Sequence, residues 1–165
     1  MNPEPLTIRA ATIDDVPLVL SFVRQIAEYE RLSHEVVTDE AILRESLFGP
    51  RPYAEVLLAF LADTPVGFAI YFHNFSSFLG RPGIWLEDLF VRPEVRGLGV
   101  GRALLARVAK VAHERKCGRM EWSALDWNEP AINFYLHLGA EAKSEWTTYR
   151  LVGEGIERLA EESDK

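Results

Sequence analysis

Apolar and polar positions recur along this chain with two different periods, and the changes of period divide it into elements. LTIRAA, residues 6–11, reads as a short strand. In TIDDVPLVLSFVRQIAEYE, Leu18, Phe22, Ile26 and Tyr29 fall near helical spacing, which predicts a first helix. Thr12 and Asp15 form a capping pair ahead of it, and Pro17 is compatible only with its first turn. TDEAILRESLF predicts a second helix, with Thr38 as cap and Asp39 and Glu40 at its positive end. EVLLAFLADTPVGFAIYFHNF reads as two strands around an ADTP turn, and SSFLGRPG as a loop broken by Gly80, Pro82 and Gly83.

The second half is punctuated more sharply. IWLEDLFV is a strand with poor alternation, as expected where both faces are covered. Its two acids, Glu87 and Asp88, then need partners. RALLARVAKVAHERK carries a helical stripe of Leu104, Val108 and Val111, with Leu105 and Ala112 beside it. RMEWSAL is a strand. NEPAINFYLHLG is a short helix, with Asn128 as cap, Pro130 in the first turn and Gly139 at its left-handed end. EWTTYRLV predicts a last strand, and residues 154–161 a terminal helix. The fold class is therefore α/β, with an α+β-like order of elements: a single domain over residues 1–165, its tail frayed from about residue 160, built on a mixed sheet with helices on both faces. The strand–helix–strand passage in the second half implies a right-handed parallel crossover.

Composition narrows the partners. A chain of 165 residues with 48 % apolar residues can build a real core. With 25 acidic against 18 basic residues the net charge is −7, which disfavours nucleic acid and suits small cationic partners. The longest apolar run, VLLAFLA, is too short to span a bilayer, and no targeting segment is visible; a cytoplasmic location is expected. A lone cysteine, Cys117, excludes an internal disulfide and reads as a small buried hydrophobe, with no histidine or cation placed beside it by the pattern. His34, His73, His113 and His137 are scattered, and no metal site is expected.

The chemistry concentrates where strand becomes helix. Gly97, Gly99 and Gly101 alternate there, so consecutive backbone N–H groups can converge on an anion and the helix start adds unpaired donors. A phosphate or diphosphate is the natural guest, with Arg96 and Arg102 able to add charge-assisted contacts. The plain alternative is a tight strand–helix junction. A P-loop would need GK[ST] where this chain has GRA. A dinucleotide fold wants G-x-G-x-x-G early in the chain; here the spacing is G-x-G-x-G and late, although Asp126 follows a strand at a fitting distance.

VRPEVRGLGVGRALL resembles the acyl-coenzyme-A binding motif of the Gcn5-related N-acetyltransferase superfamily, Arg/Gln-x-x-Gly-x-Gly/Ala, matched by Arg96, Gly99 and Gly101. WLEDLFVRPEVRGLGVG, ALDWNEPAINFYLHLGA and AEYE further resemble its diamine acetyltransferase branch, the spermidine/spermine and thialysine enzymes. The resemblance runs from about Leu6 to Leu151. It implies an acyl-CoA N-acyltransferase fold whose sheet splays open after the IWLEDLFV strand, often near a bulge. Acetyl-CoA would enter there as acetyl donor. Gly97, Leu98, Gly99, Val100 and Gly101, with Arg96 and Arg102, would hold its diphosphate, and the backbone of Leu89, Phe90 and Val91 its pantetheine arm. Asn128 would contact the same arm, in addition to or instead of capping its helix, and Asn133 the phosphate or adenosine end. Tyr135 would be the general acid, a phenol that carries its proton at neutral pH; a packed core tyrosine is the other reading. Glu87 would bind or deprotonate the amine, often through water, in preference to Asp88. Adjacent residues of a regular strand point to opposite faces, so only a bulge would bring both acids together. Glu28 and Trp127 would line the amine site.

These readings imply an acetyl-CoA-dependent N-acetyltransferase that acts on a small diamine, polyamine or diamino acid by direct attack, commonly as a homodimer. The missing acid in the FSSFLG loop weakens the case for long polyamines. The alternatives are acetylation of a protein lysine or N-terminus, and a regulatory module that holds coenzyme A without turnover.

Overall fold

The protein is described by a computed structural model covering residues 5–164. Residue contacts group the chain into two compact units, 1–125 and 126–165.

The first unit holds a five-stranded sheet in the order β1-β2-β3-β4-β5. The strands are β1 (Leu6–Ala10), β2 (Glu55–Leu61), β3 (Thr64–Ser76), β4 (Arg81–Val91) and β5 (Met120–Trp122). The first four pair antiparallel and β5 joins β4 in parallel, so the sheet is mixed. Its helices are α1 (Val16–Tyr29), α2 (Glu40–Phe48) and α3 (Val100–Glu114). The Thr12–Asp15 pair forms as expected: Asp15 accepts the Thr12 N–H at 2.7 Å and also holds Arg9 in a bidentate ion pair. Asp39, not Thr38, caps α2, by accepting the Ile42 N–H at 2.8 Å. Either residue type can do this; extended backbone at Asp39 gives it the position.

Side-chain alternation assigns the helices to opposite faces of the sheet. Val56, Leu58, Phe68, Ile70 and Phe90 pack with Val19, Phe22 and Ile26 of α1 and Leu47 of α2. Phe22 is fully buried and stacks on Phe68 with ring centroids 5.3 Å apart. Each such ring contributes roughly 1.5–3 kcal/mol through removal from water. The intervening residues face α3: a Cβ on Gly67 would meet the Leu104 side chain at 3.4 Å, and one on Gly101 would meet Val91 Cγ2 at 3.6 Å.

β3 and β4 run further than the sequence pattern suggests. Residues 81–83 of the expected loop belong to β4, and only a short turn separates the strands. Two features of this pair shape the surface beside it. In register, Ile70 faces Asp88 and Tyr71 faces Leu86, so Glu87 is an extra residue on β4: a β-bulge. β5, meanwhile, pairs only Ile84–Leu86 of β4, and the strand continues to Val91 without it. Pairing with β5 thus ends at Leu86, directly at the bulge.

The second unit contains α4 (Glu129–His137) and α5 (Glu154–Ala160). Asn128 caps α4 by accepting the Ala131 N–H at 3.4 Å, Pro130 lies in the first turn, and Gly139 ends the helix at φ 86. The strand expected over EWTTYRLV does not form: residues 146–152 have no strand structure, and Trp146 and Tyr149 are exposed. Aromatic and β-branched residues favour a strand only where an edge is there to pair with, and among the described residues no strand pairs with this segment.

Candidate functional site

The glycine turn has the conformation its spacing suggests. Gly97 and Gly99 both sit at φ 83, left-handed backbone that costs other residues roughly 1–2 kcal/mol. Gly99 is the N-cap of α3. The first helical bond runs from the Ala103 N–H to the Gly99 carbonyl at 3.0 Å, leaving the N–H groups of Val100, Gly101 and Arg102 without intrahelical acceptors. A Cβ at Gly97 or Gly99 would meet no atom within 4 Å, so the outer side of the turn is open. Gly97, Leu98, Gly99 and Arg102 are all exposed, whereas Val100 is buried and anchors the helix start. The result is a set of convergent donors at a positive helix end, with room above it for an anion.

Arg96 fixes this turn to the sheet. Its Nε donates to the Val91 carbonyl at 3.0 Å, and its guanidinium lies over the Tyr29 ring, 4.4 Å from the centroid. That leaves its terminal N–H groups to supply positive charge beside the turn.

β4 supplies a second set of donors and acceptors. The Arg92 N–H donates to the Val66 carbonyl at 2.9 Å. The two-residue alternation of an antiparallel ladder then turns the N–H and C=O of Leu89 and Val91 away from β3, toward the side β5 has left. Phe90 faces β3 with its backbone and is buried in the core with its ring. An extended, amide-containing arm running from the glycine turn along β4 would find partners at Leu89 and Val91. These residues fit acetyl-CoA: convergent amides for a diphosphate, then an open strand edge for the pantetheine.

The bulge settles how Glu87 and Asp88 are placed. Asp88 shares a face with Phe90, toward α1, and the extra residue brings Glu87 to the same side. Both line a cavity of about 350 Å³ together with Val23, Ile26, Glu30, Glu35 and Thr38. Four carboxylates line this cavity, and no lysine, arginine or histidine does. Glu87 is exposed and accepts the Trp85 indole N–H at 2.9 Å. Asp88 is sunken, and burial, then the charges of Glu87 and Glu30, push its carboxyl up to about 7. Burial also raises Glu30.

Glu28, the expected amine-site acid, is exposed and does not line the cavity, whereas Glu30, two residues on, does. α1 ends at Tyr29, and the chain reverses through Arg31 at φ 63. Glu30 follows Val23, Ile26 and Ala27 at helical spacing, so it continues the stripe of α1 that lines the cavity. Glu35 escaped the sequence reading altogether; it lies on a short 3-10 turn, residues 33–35, without periodic pattern.

His73 is on the α3 side, remote from the acidic cavity's face. Its Nδ1 contacts the Gly83 carbonyl at 3.0 Å, and Arg115 donates to its Nε2 at 2.9 Å. Arg115 also holds Glu55 through both terminal nitrogens. Cys117 Sγ lies 3.9 Å from His73 Nδ1, so the cysteine does have a histidine neighbour, one that sequence pattern does not reveal.

In the second unit, Tyr135 is half-buried on α4, its ring 5.3 Å from that of Phe134. Asn133 is exposed and its carbonyl meets His137 Nδ1 at 2.6 Å. Trp127, 48 % exposed, precedes the cap residue Asn128. Among the described residues no group of three or more His, Cys, Asp or Glu side chains could hold a metal ion, and no helix is long and apolar enough to cross a membrane.

Residues 21–140 match the model of the acetyltransferase (GNAT) family. The chain belongs to that family. As a GNAT acetyltransferase it takes its acetyl group from acetyl-CoA, in keeping with the amide turn and open strand edge. It is 37 % identical to the thialysine N-epsilon-acetyltransferase of Bos taurus, with 93 % of this chain and 96 % of the relative covered. It is 32 % identical to the L-ornithine N5-acetyltransferase of Arabidopsis thaliana, over 92 % of this chain and 86 % of that protein. Among solved structures, an integron cassette protein from the mobile metagenome of V. cholerae superposes with a TM-score of 0.77 at 28 % identity, covering 94 % of this chain and 97 % of the other. The GNAT fold expected from the sequence, a mixed central sheet with flanking helices, is the one observed.

Proposed function

We propose that this GNAT enzyme transfers the acetyl group of acetyl-CoA to a primary amine of a small diamine, polyamine or diamino acid. The observation that carries the reading is the cavity beside the bulge: about 350 Å³, lined by Glu30, Glu35, Glu87 and Asp88 with no basic side chain. Such a lining repels anions and suits a molecule with two ammonium groups, one to be acetylated and one to hold. The similarity to enzymes named for thialysine and ornithine supports the same substrate class.

When bound, acetyl-CoA supplies a thioester within reach of an amine nucleophile. The turn from Arg96 to Arg102 grips its diphosphate, and Leu89 and Val91 align its arm by backbone hydrogen bonds. A free alkylamine is protonated at neutral pH, so it must lose a proton before it attacks; a carboxylate at the bulge, Glu87 or Asp88, receives it. Tyr135 is the general acid, its phenol holding a proton for the departing sulfur, while Asn128 and Asn133 serve the coenzyme from the same helix. Attack is direct, with both substrates held together. The reading includes a homodimer: Phe75 and Phe78 at the β3–β4 turn are 65 % and 98 % exposed, an apolar tip that a second copy would cover.

The test is turnover of acetyl-CoA against putrescine, spermidine, thialysine, lysine, ornithine and a lysine peptide, with products identified by mass. Acetylation of one or more small diamino compounds well above the peptide is expected. Preference for the peptide would move the substrate to protein lysines, and coenzyme binding without any turnover would leave a regulatory module.

A further inference from the structure

The two carboxylates brought together by the bulge are not equivalent, and their difference assigns them separate tasks. This inference rests on the small-amine reading and deepens it. Glu87 is the inserted residue of β4. It has no partner in the β3 register, stands at the exposed rim of the cavity, and has one oxygen occupied by the Trp85 indole N–H at 2.9 Å. Trp85 pairs with Phe72, so it lies on the same face as Asp88 and reaches Glu87 along the strand. Asp88 stays in register opposite Ile70, at the edge of the apolar cluster around Phe22, Phe68 and Phe90. Burial and like charge, with no hydrogen-bond donor, govern its carboxyl, so nothing competes with a proton arriving there.

We propose that Asp88 receives the proton of the attacking amine, while Glu87, pinned by Trp85, is a fixed negative charge that holds the ammonium of the incoming substrate. Trp85 is then a positioning residue. A base works best when it titrates near the working pH, and Asp88, pushed up to about 7, meets that condition. The titratable groups that line the cavity with it all have one sign: Glu87 on its own strand, Glu30 at the end of α1 and Glu35 on the 3-10 turn. Arg92, over the Phe22 ring, and Arg96, over the Tyr29 and Phe90 rings, are on the same face but outside that lining. An incoming ammonium would relieve this repulsion, and a proton left on Asp88 is tolerated by the same surroundings.

The test is the pH dependence of kcat/KM for the best small amine, measured on the full chain and three variants. Coenzyme affinity of each variant, by calorimetry, serves as the check on folding. The parent enzyme should lose activity below an apparent pKa near 7. Asp88→Asn should abolish this acid limb and lower kcat at least about a hundredfold. Glu87→Gln should retain the limb but move it down by about one pH unit, because a like charge has been removed, and should raise KM for the amine. Trp85→Phe should raise that KM roughly tenfold, as loss of one hydrogen bond to a charged group implies, with kcat within about twofold. A limb that persists in Asp88→Asn and vanishes in Glu87→Gln would reverse the roles and overturn the proposal while leaving the amine reading intact. A fall in kcat at unchanged KM in Trp85→Phe would overturn the clamp. Failure of the parent enzyme to acetylate any small amine would instead remove the reading on which the proposal rests.

Discussion

Substituting Gly99 separates coenzyme binding from folding with unusual clarity. Gly99 sits at φ 83, and a Cβ built there would meet no protein atom within 4 Å. Gly99→Ala therefore disturbs no packing. Its cost to stability is the left-handed backbone alone, roughly 1–2 kcal/mol, which for a chain of this size lowers the melting temperature by about 2–8 °C. The same Cβ stands in open space beside the turn, more than 4 Å from every heavy atom of Gly101 and Arg102, where it would crowd an anion held by the N–H groups of the helix start. Displacing an anion from one of those donors forfeits about 1.5–3 kcal/mol, or roughly a 10- to 150-fold weaker Kd. Gly101→Ala is the control. Its Cβ would point inward to Val91 Cγ2 at 3.6 Å, an ordinary contact, so coenzyme affinity should stay within about threefold. Stability should hold or rise by up to about 1 kcal/mol, as alanine replaces glycine within a helix. Calorimetric titration with coenzyme A and thermal melts of both variants measure these quantities. Native affinity in Gly99→Ala, or equal losses in both variants, would refute the assignment of the turn.

Tyr135→Phe should lower kcat by a hundredfold or more with coenzyme affinity unchanged, as loss of a general acid implies; steady-state kinetics with calorimetry check it. Asp15 is held far below the usual carboxylate range, chiefly by the Arg9 hydrogen bonds. With its folded pKa depressed, its contribution is present above the unfolded value near 3.9 and is lost as pH falls below it. Asp15→Asn should thus cost about 1 kcal/mol at pH 7 and little at pH 2, measured by urea unfolding. Asp88 has the opposite sign. Its raised pKa means that the folded state binds more protons between about pH 4 and 7, so stability declines across that window. Asp88→Asn should raise the melting temperature at pH 8 and leave it nearly unchanged at pH 4.

The conformation of the glycine turn was legible in the chain because it is made of backbone. Alternating glycines between an apolar run and an amphipathic helix leave few conformations open, and Gly97 and Gly99 adopt the left-handed one their spacing implies. Asn128, Pro130 and Gly139 likewise delimit α4 by local chemistry alone. The acidic cavity was only half legible. Poor alternation in IWLEDLFV signalled two covered faces, but the register between β3 and β4 decides that Glu87 is the inserted residue, and register is a property of two strands. Glu30 continues the helical stripe of Val23 and Ile26, whereas Glu35 enters the cavity from a 3-10 turn, where no periodicity predicts direction. EWTTYRLV shows the converse: its composition favours a strand, yet pairing is a long-range condition that composition cannot supply.

The main-chain N–H groups from Gly97 to Arg102 are assigned here to the coenzyme's diphosphate, and every later step depends on that grip. The most direct measurement is a backbone-amide NMR titration with coenzyme A, with dephosphorylated pantetheine as a comparison. Large, saturable downfield shifts at Gly99, Val100, Gly101 and Arg102 with coenzyme A, absent with pantetheine, are the expected result. Saturable binding that leaves those four amides unmoved would contradict it.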